Sequence, residues 1–100
     1  MKGQHLGHTK PEALADLRVE LQLIRSLTGI TERSPGVFYW KSTAFLHFHD
    51  QDGKRWADVK SAAGWKHVAI DFVATAQDKA DFIAETRQAY AELTRNRKKP

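Results

Sequence analysis

Gly36-Val-Phe-Tyr-Trp-Lys-Ser-Thr-Ala-Phe-Leu-His-Phe-His-Asp-Gln-Asp-Gly-Lys-Arg-Trp-Ala-Asp-Val-Lys60 decides the fold. Ala44–His49 and Arg55–Lys60 alternate in polarity, as half-buried strands do, and Asp50-Gln51-Asp52-Gly53 between them is a hairpin turn. A two- or four-residue loop places Ala44, Leu46, Phe48, Ala57 and Val59 on one apolar face. It leaves Phe45, His47, His49, Trp56, Asp58 and Lys60 together on the other. A three-residue loop with a glycine bulge would instead set Asp58 beside Leu46 and Phe48, and burying an unpaired carboxylate is costly. The first register is therefore expected.

Working outward, Val37–Trp40 is a short strand of β-branched and aromatic residues, joined to the next by the polar Lys41-Ser42-Thr43. Thr31–Gly36 reads as a turn-rich connection, with Ser34-Pro35-Gly36 setting a sharp change of direction. Before it, Leu14, Leu17, Leu21, Ile24 and Thr28 follow helical spacing. Thr9-Lys10-Pro11-Glu12 resembles a capping box for that helix, and Gly29 marks its end. Beyond the hairpin, Ser61–Gly64 is a loop, and Trp65–Phe72 alternates as a fourth strand. Thr75-Ala76-Gln77-Asp78 is a second capping signal. The helix it opens runs to about Arg95, with Phe82, Ile83, Thr86, Ala89, Tyr90 and Leu93 on its inner stripe. The expected fold is α+β: a two-layer sandwich ordered helix, four-stranded antiparallel meander, helix, with both helices on one sheet face. Residues 9–95 form its single domain, after a flexible N-terminus at 1–8 and before a basic tail at 96–100.

Composition narrows the function classes. The 100 residues include no cysteine, which excludes disulfides, thiol catalysis and cysteine-ligated zinc. No apolar run approaches the ~20 residues that span a bilayer, and Met1–Lys10 lacks the apolar core of a secretory signal. A cytoplasmic protein without membrane contact is expected. Of sixteen basic residues, Arg95, Arg97, Lys98 and Lys99 lie at the C-terminus, and the other twelve balance twelve acidic ones. The net charge of +4 thus belongs to the tail. A neutral body argues against a broad phosphate-binding surface, though not a local one. The tail reads first as a solvated helix end whose cations face the negative end of the helix dipole, and second as a polyanion contact.

His47, His49 and Asp58 are the cluster able to carry chemistry. Histidines two apart on a strand project to one side, about 6 to 7 Å apart at the backbone, and Asp58 lies across from them. Three readings fit. The histidines pair with Asp58 or stack on Trp56 in a half-exposed face; they bind an organic ligand or act as a His-Asp general base; or, with Asp58, they hold a divalent transition metal. His5 and His8 sit among glycines and read as adventitious. Phe45 and Trp56 flanked by Lys54 and Lys60 resemble a base-stacking platform, against which stands burial of the same face in a homodimer. No glycine-rich phosphate loop, Gly-x-Ser-x-Gly elbow or His-Glu-x-x-His helix is present. The leading expectation is a small binding or interaction module; the alternative is a metal-dependent or His-Asp enzyme.

The Phe-Tyr-Trp-Lys, Phe-Leu-His-Phe-His and Trp-Ala-Asp-Val-Lys pieces resemble a small family of bacterial proteins of unknown function, over about a quarter of the chain. That resemblance implies that Lys41, His47, His49 and Asp58 belong to one shared feature, and it carries no activity. The helix-sheet-helix order is also similar to the frataxin-like arrangement of the MmcQ/YjbR group. Frataxin's acidic first helix is not matched, because Asp16 and Glu20 are interspersed with Arg18 and Arg25.

Overall fold

Five antiparallel strands follow one another across a single sheet in the computed structural model, which describes residues 9–98: β1 Ile30–Ser34, β2 Val37–Trp40, β3 Thr43–Gln51, β4 Lys54–Ser61 and β5 Gly64–Ala69. The expected N-terminal segment 1–8 lies outside the described residues, as does the end of the basic tail. The meander is as anticipated, but it has five strands rather than four. The additional strand, β1, occupies part of the stretch read as a connection. It pairs with β2 through Ile30↔Trp40, Thr31↔Tyr39 and Glu32↔Phe38. Its sequence, Ile-Thr-Glu-Arg-Ser, lacks an apolar face, so pairing at the sheet edge is what makes it a strand. The Glu32 carboxylate ties it in, accepting from Arg25 Nε at 2.6 Å and from the Gly36 backbone N–H at 3.1 Å.

The central hairpin has the register expected from its polarity. Asp52 and Gly53 both have positive φ, 54° and 79°, and form the tight two-residue connection that suits twisted strands. Gln51 therefore faces Lys54, Phe48 faces Ala57, and Leu46 faces Val59. On β3 the alternation then breaks. Phe38 pairs with Leu46 but Tyr39 pairs with Ala44, which leaves Phe45 as an extra residue in a β-bulge. The bulge turns Phe45 to the same side as Leu46, where it is fully buried and meets the Tyr90 ring edge-on at 6.0 Å.

The first helical region is shorter and less regular than its periodicity suggests. Pro11–Leu17 is a 3₁₀ segment, and α1 covers only Arg18–Arg25. The capping box is not made, because the Thr9 hydroxyl donates to the Phe48 carbonyl at 3.0 Å. With no side-chain cap, the first turn closes by a tighter bond from Ala13 N–H to Lys10 O. By contrast, α2 (Ala76–Lys98) opens on a reciprocal box: Asp78 N–H donates to Thr75 Oγ1 at 3.0 Å, and Thr75 N–H to Asp78 Oδ2 at 2.9 Å. It continues three residues past the expected end. Leu14, Leu17, Leu21 and Ile24 join Phe82, Ala89 and Leu93 in one hydrophobic core with Phe38, Phe45, Leu46, Phe48, Ala57 and Val59.

Arg55 locks the first helical region to the sheet. Its side chain is fully buried and forks onto Asp16, with Nη1 to Oδ1 at 2.7 Å and Nη2 to Oδ2 at 3.0 Å. It also donates to the carbonyls of Ala13 (2.6 Å), Ile70 (2.7 Å) and Asp71 (2.8 Å). Its guanidinium lies 4.8 Å from the centre of the Phe72 ring. Every direction of the planar donor fork is used, which makes burial of the charge tolerable. The same contacts explain why β5 ends at Ala69 rather than at Phe72. The carbonyls of Ile70 and Asp71 turn to Arg55 instead of continuing the ladder.

Candidate functional site

The register that buries Leu46, Phe48, Ala57 and Val59 sends the alternate residues to the other side of the sheet. His47 lies opposite Asp58, and His49 opposite Trp56. The turn at Ala62 and Ala63 extends the rows onto β5, where Asp58 faces His67, Trp56 faces Ala69, and Lys60 faces Trp65. Ser61 shapes that turn, its hydroxyl donating to Gly64 O at 2.9 Å and accepting from Ala63 N–H at 3.2 Å.

Rings dominate this face. His49 stacks on Trp56 with centroids 5.6 Å apart and planes at 27°, and Trp56 stacks on His67 at 5.5 Å and 26°. The His47 ring centre lies 6.2 Å from that of His49, 6.3 Å from that of Tyr39 and 5.8 Å from that of Trp65. Cations flank the row. The Arg33 guanidinium sits 3.9 Å from the Tyr39 ring centre, and the Lys60 ammonium 5.4 Å from that of Trp65, distances at which a cation is attracted to the ring face. Arg33 reaches Tyr39 because it is the extra residue where the β1–β2 register shifts.

Asp58 is the carboxylate within the row. Its Oδ2 lies 3.1 Å from His49 Nε2, and its Oδ1 lies 3.8 Å from His67 Nδ1. The shorter distance is that of a hydrogen bond joining the two side chains. The His49 side chain is mostly covered, at 14% exposure, whereas that of His67 is 65% exposed and Trp65 is 49% exposed as a residue. The face therefore offers an oriented, half-buried imidazole beside two accessible rings.

Four expected site residues, His47, His49, Trp56 and Asp58, are brought together, and two are not. Phe45 belongs to the core, moved there by the bulge. Lys41 stands in the β2–β3 turn with φ of 56°, its ammonium 5.2 Å from the ring centre of the buried Trp40. The metal set is not assembled either: among the described residues, no group of three or more His, Asp or Glu is placed to hold a metal ion. Asp58 Oδ2 is engaged by His49 at hydrogen-bonding distance, and the rings of His47 and His49 stand 6.2 Å apart rather than converging. Tyr39, Trp65, His67 and Arg33 are additional members. The signal for Trp65 and His67 was present, since carrying the hairpin alternation through a tight turn at Ala62-Ala63 puts both beside Asp58 and Lys60. Arg33 carried no such signal, because a bulge places it. Among the described residues, no helix is long and apolar enough to cross a membrane. Compared with protein-family models, curated proteins and solved structures, the chain matches none.

Proposed function

We propose that the protein is a small binding module whose working surface is the sheet face bearing Tyr39, His47, His49, Trp56, Asp58, Trp65 and His67. The two helices cover the opposite face and leave this one for a ligand or partner. Support for that layering comes from the single core shared by the helices and the inward-facing strand residues. The observation that carries the proposal is the row of rings His49–Trp56–His67, with the half-exposed Trp65 beside it. A concentration of aromatic area on a surface is characteristic of recognition sites. Amide NMR tests it, by titration with zinc, nickel and nucleotides and by a dilution series for self-association. Saturable or concentration-dependent shifts centred on these residues support the proposal; shifts confined to other surfaces overturn it.

One observation favours a second reading, a His-Asp enzyme. The 3.1 Å contact between His49 Nε2 and Asp58 Oδ2 orients an imidazole as general-base chemistry requires. Hydrolytic turnover of an activated ester that disappears in His49→Gln would support it. Unchanged turnover in that variant would exclude the dyad.

A further inference from the structure

The corner where the first helical region meets β1 carries a second site, separate from the ring-bearing face. We infer that the groove there binds an amphipathic monocarboxylate, its apolar body over Leu14 and Leu21 and its carboxylate at Arg18.

The groove exists because β1 departs from the pattern of a core-facing strand. Its inward row is Ile30, Glu32 and Ser34, each partly buried, while Thr31 and Arg33 are exposed. Ile30 packs on the core, but Glu32, opposite the buried Phe38, brings a carboxylate to the inner side, and Ser34 follows with a hydroxyl. Large apolar side chains at these two positions would cover Leu14 and Leu21. With Glu32 and Ser34 in place, a groove of about 410 Å³ remains between helix and strand, within the size range of small-molecule sites. Departures from consistent patterning concentrate at functional or strained sites.

Helical spacing supplies the other wall. Pro11, Leu14, Arg18, Leu21 and Arg25 recur every three or four residues and line the groove as one stripe. Leu14 and Leu21, both buried, form its floor. Pro35 also lines it, in a turn held close to the floor, since a Cβ on Gly36 would stand 2.9 Å from Leu14 Cδ1.

Charge identifies the polar end of the ligand. Glu32 is already neutralised, its carboxylate accepting from Arg25 Nε and from the Gly36 N–H. Arg18, exposed in the middle of the stripe, pairs with no carboxylate among the described residues. Two arginines against one glutamate leave the lining with a surplus positive charge. An apolar floor beside an uncommitted guanidinium fits a chain or ring that ends in a carboxylate, which the planar donor fork matches. An extended peptide fits less well. β1 has only five residues, its pairing shifts at Arg33, and the Arg25–Glu32 bridge spans helix and strand.

The test is an amide NMR titration with octanoate below its micelle concentration, with octan-1-ol as the probe lacking charge and acetate as the probe lacking the chain. Saturable octanoate shifts centred on Leu14, Arg18, Leu21 and Ser34 are expected, with a Kd of roughly millimolar or tighter, the scale for a ligand of about ten heavy atoms. Octan-1-ol should bind about fivefold more weakly, and Arg18→Gln should weaken octanoate by a similar factor, the net scale of one hydrogen bond. Arg87→Gln, at an exposed position on α2 outside the groove, should leave binding unchanged. Ser34→Leu should fill the groove and abolish the shifts. Circular dichroism checks that the variants are folded. Absence of saturable shifts overturns the inference, as do shifts centred elsewhere, octan-1-ol matching octanoate, or undiminished affinity in folded Arg18→Gln or Ser34→Leu. Equal losses in the Arg18 and Arg87 variants overturn it as well, by showing general attraction of anions. Sedimentation as a dimer with an unresponsive groove assigns the groove to a second copy and likewise overturns it. The groove and the ring-bearing face share no residue, so either reading can fail alone.

Discussion

Arg55 holds Asp16 by two hydrogen bonds of 2.7 and 3.0 Å, joining the 3₁₀ segment to the start of β4 across 39 residues of chain. Trp56, the next residue, points to the opposite side of the sheet. The clamp on one face thus anchors the strand that presents the ring row on the other.

Replacing Arg55 with alanine is expected to cost at least about 3 kcal/mol, because it strands three carbonyls and the Asp16 carboxylate. Arg55→Lys should recover little, since an ammonium cannot reproduce the planar fork. Urea denaturation of the two variants against the wild type measures this directly. A loss below 1 kcal/mol for Arg55→Ala would show that the clamp is not structural.

The same pair predicts acid sensitivity. Hydrogen bonding to Arg55 holds the Asp16 carboxyl below its ordinary value, against the opposing effect of burial. A carboxylate with a depressed folded-state pKa contributes stability that is complete above its unfolded value, about 4. That contribution declines as pH falls through the lower, folded value. Asp16→Asn should therefore flatten the dependence of stability on pH in the acid range while leaving its shape near neutrality unchanged. Urea midpoints measured across that range decide the matter.

Phe45 and Trp65 should separate cleanly in stability. Phe45→Ala removes a fully buried ring from the core and is expected to cost about 3–5 kcal/mol. Trp65→Ala removes a half-exposed ring and should cost about 1 kcal/mol or less. Comparable losses in thermal denaturation would mean that Trp65 is part of the core packing.

Gly36 and Gly53 have nearly the same φ, 77° and 79°, in different surroundings. A Cβ on Gly36 would lie 2.9 Å from Leu14 Cδ1 and 3.4 Å from Phe48, whereas one on Gly53 would meet nothing within 4 Å. Both alanine variants carry the left-handed backbone penalty of about 1–2 kcal/mol. Gly36→Ala should exceed Gly53→Ala by a further 1 kcal/mol or more, from overpacking. Equal midpoints would show that Leu14 moves aside at no cost.

Asp58→Asn distinguishes the uses proposed for the face. The Asp58–His49 pair is partly exposed, so its loss should change stability by about 1 kcal/mol or less. A dyad enzyme would lose turnover in this variant, whereas a face that only binds has none to lose. An ester assay and urea denaturation on the same preparation check the two expectations.

Local chemistry made the β3–β4 hairpin legible from sequence. Asp52-Gly53 supplies two positive-φ residues, and period-two alternation sorts Leu46 and Phe48 from His47 and His49. The inner stripe of α2 and its Thr75–Asp78 box were readable for the same reason, because each depends on residues three or four apart. The exceptions depended on distant partners. β1 has too little apolar alternation to announce itself, and pairing with β2 makes it a strand. The Thr9 hydroxyl gives up a local cap for the Phe48 carbonyl. Phe45 looked like a face residue under strict alternation until one bulge turned it inward, and Lys41 left the site with the turn that carries it. Arg55 falls on the inward row of β4 with Ala57 and Val59, and its charge is tolerated there because Asp16 and three carbonyls converge on it from separate segments. Periodicity is a property of neighbouring residues and can be read along the chain. A bulge, a buried fork and the completed ring row are properties of contacts between remote segments, and only the folded chain brings their partners within reach.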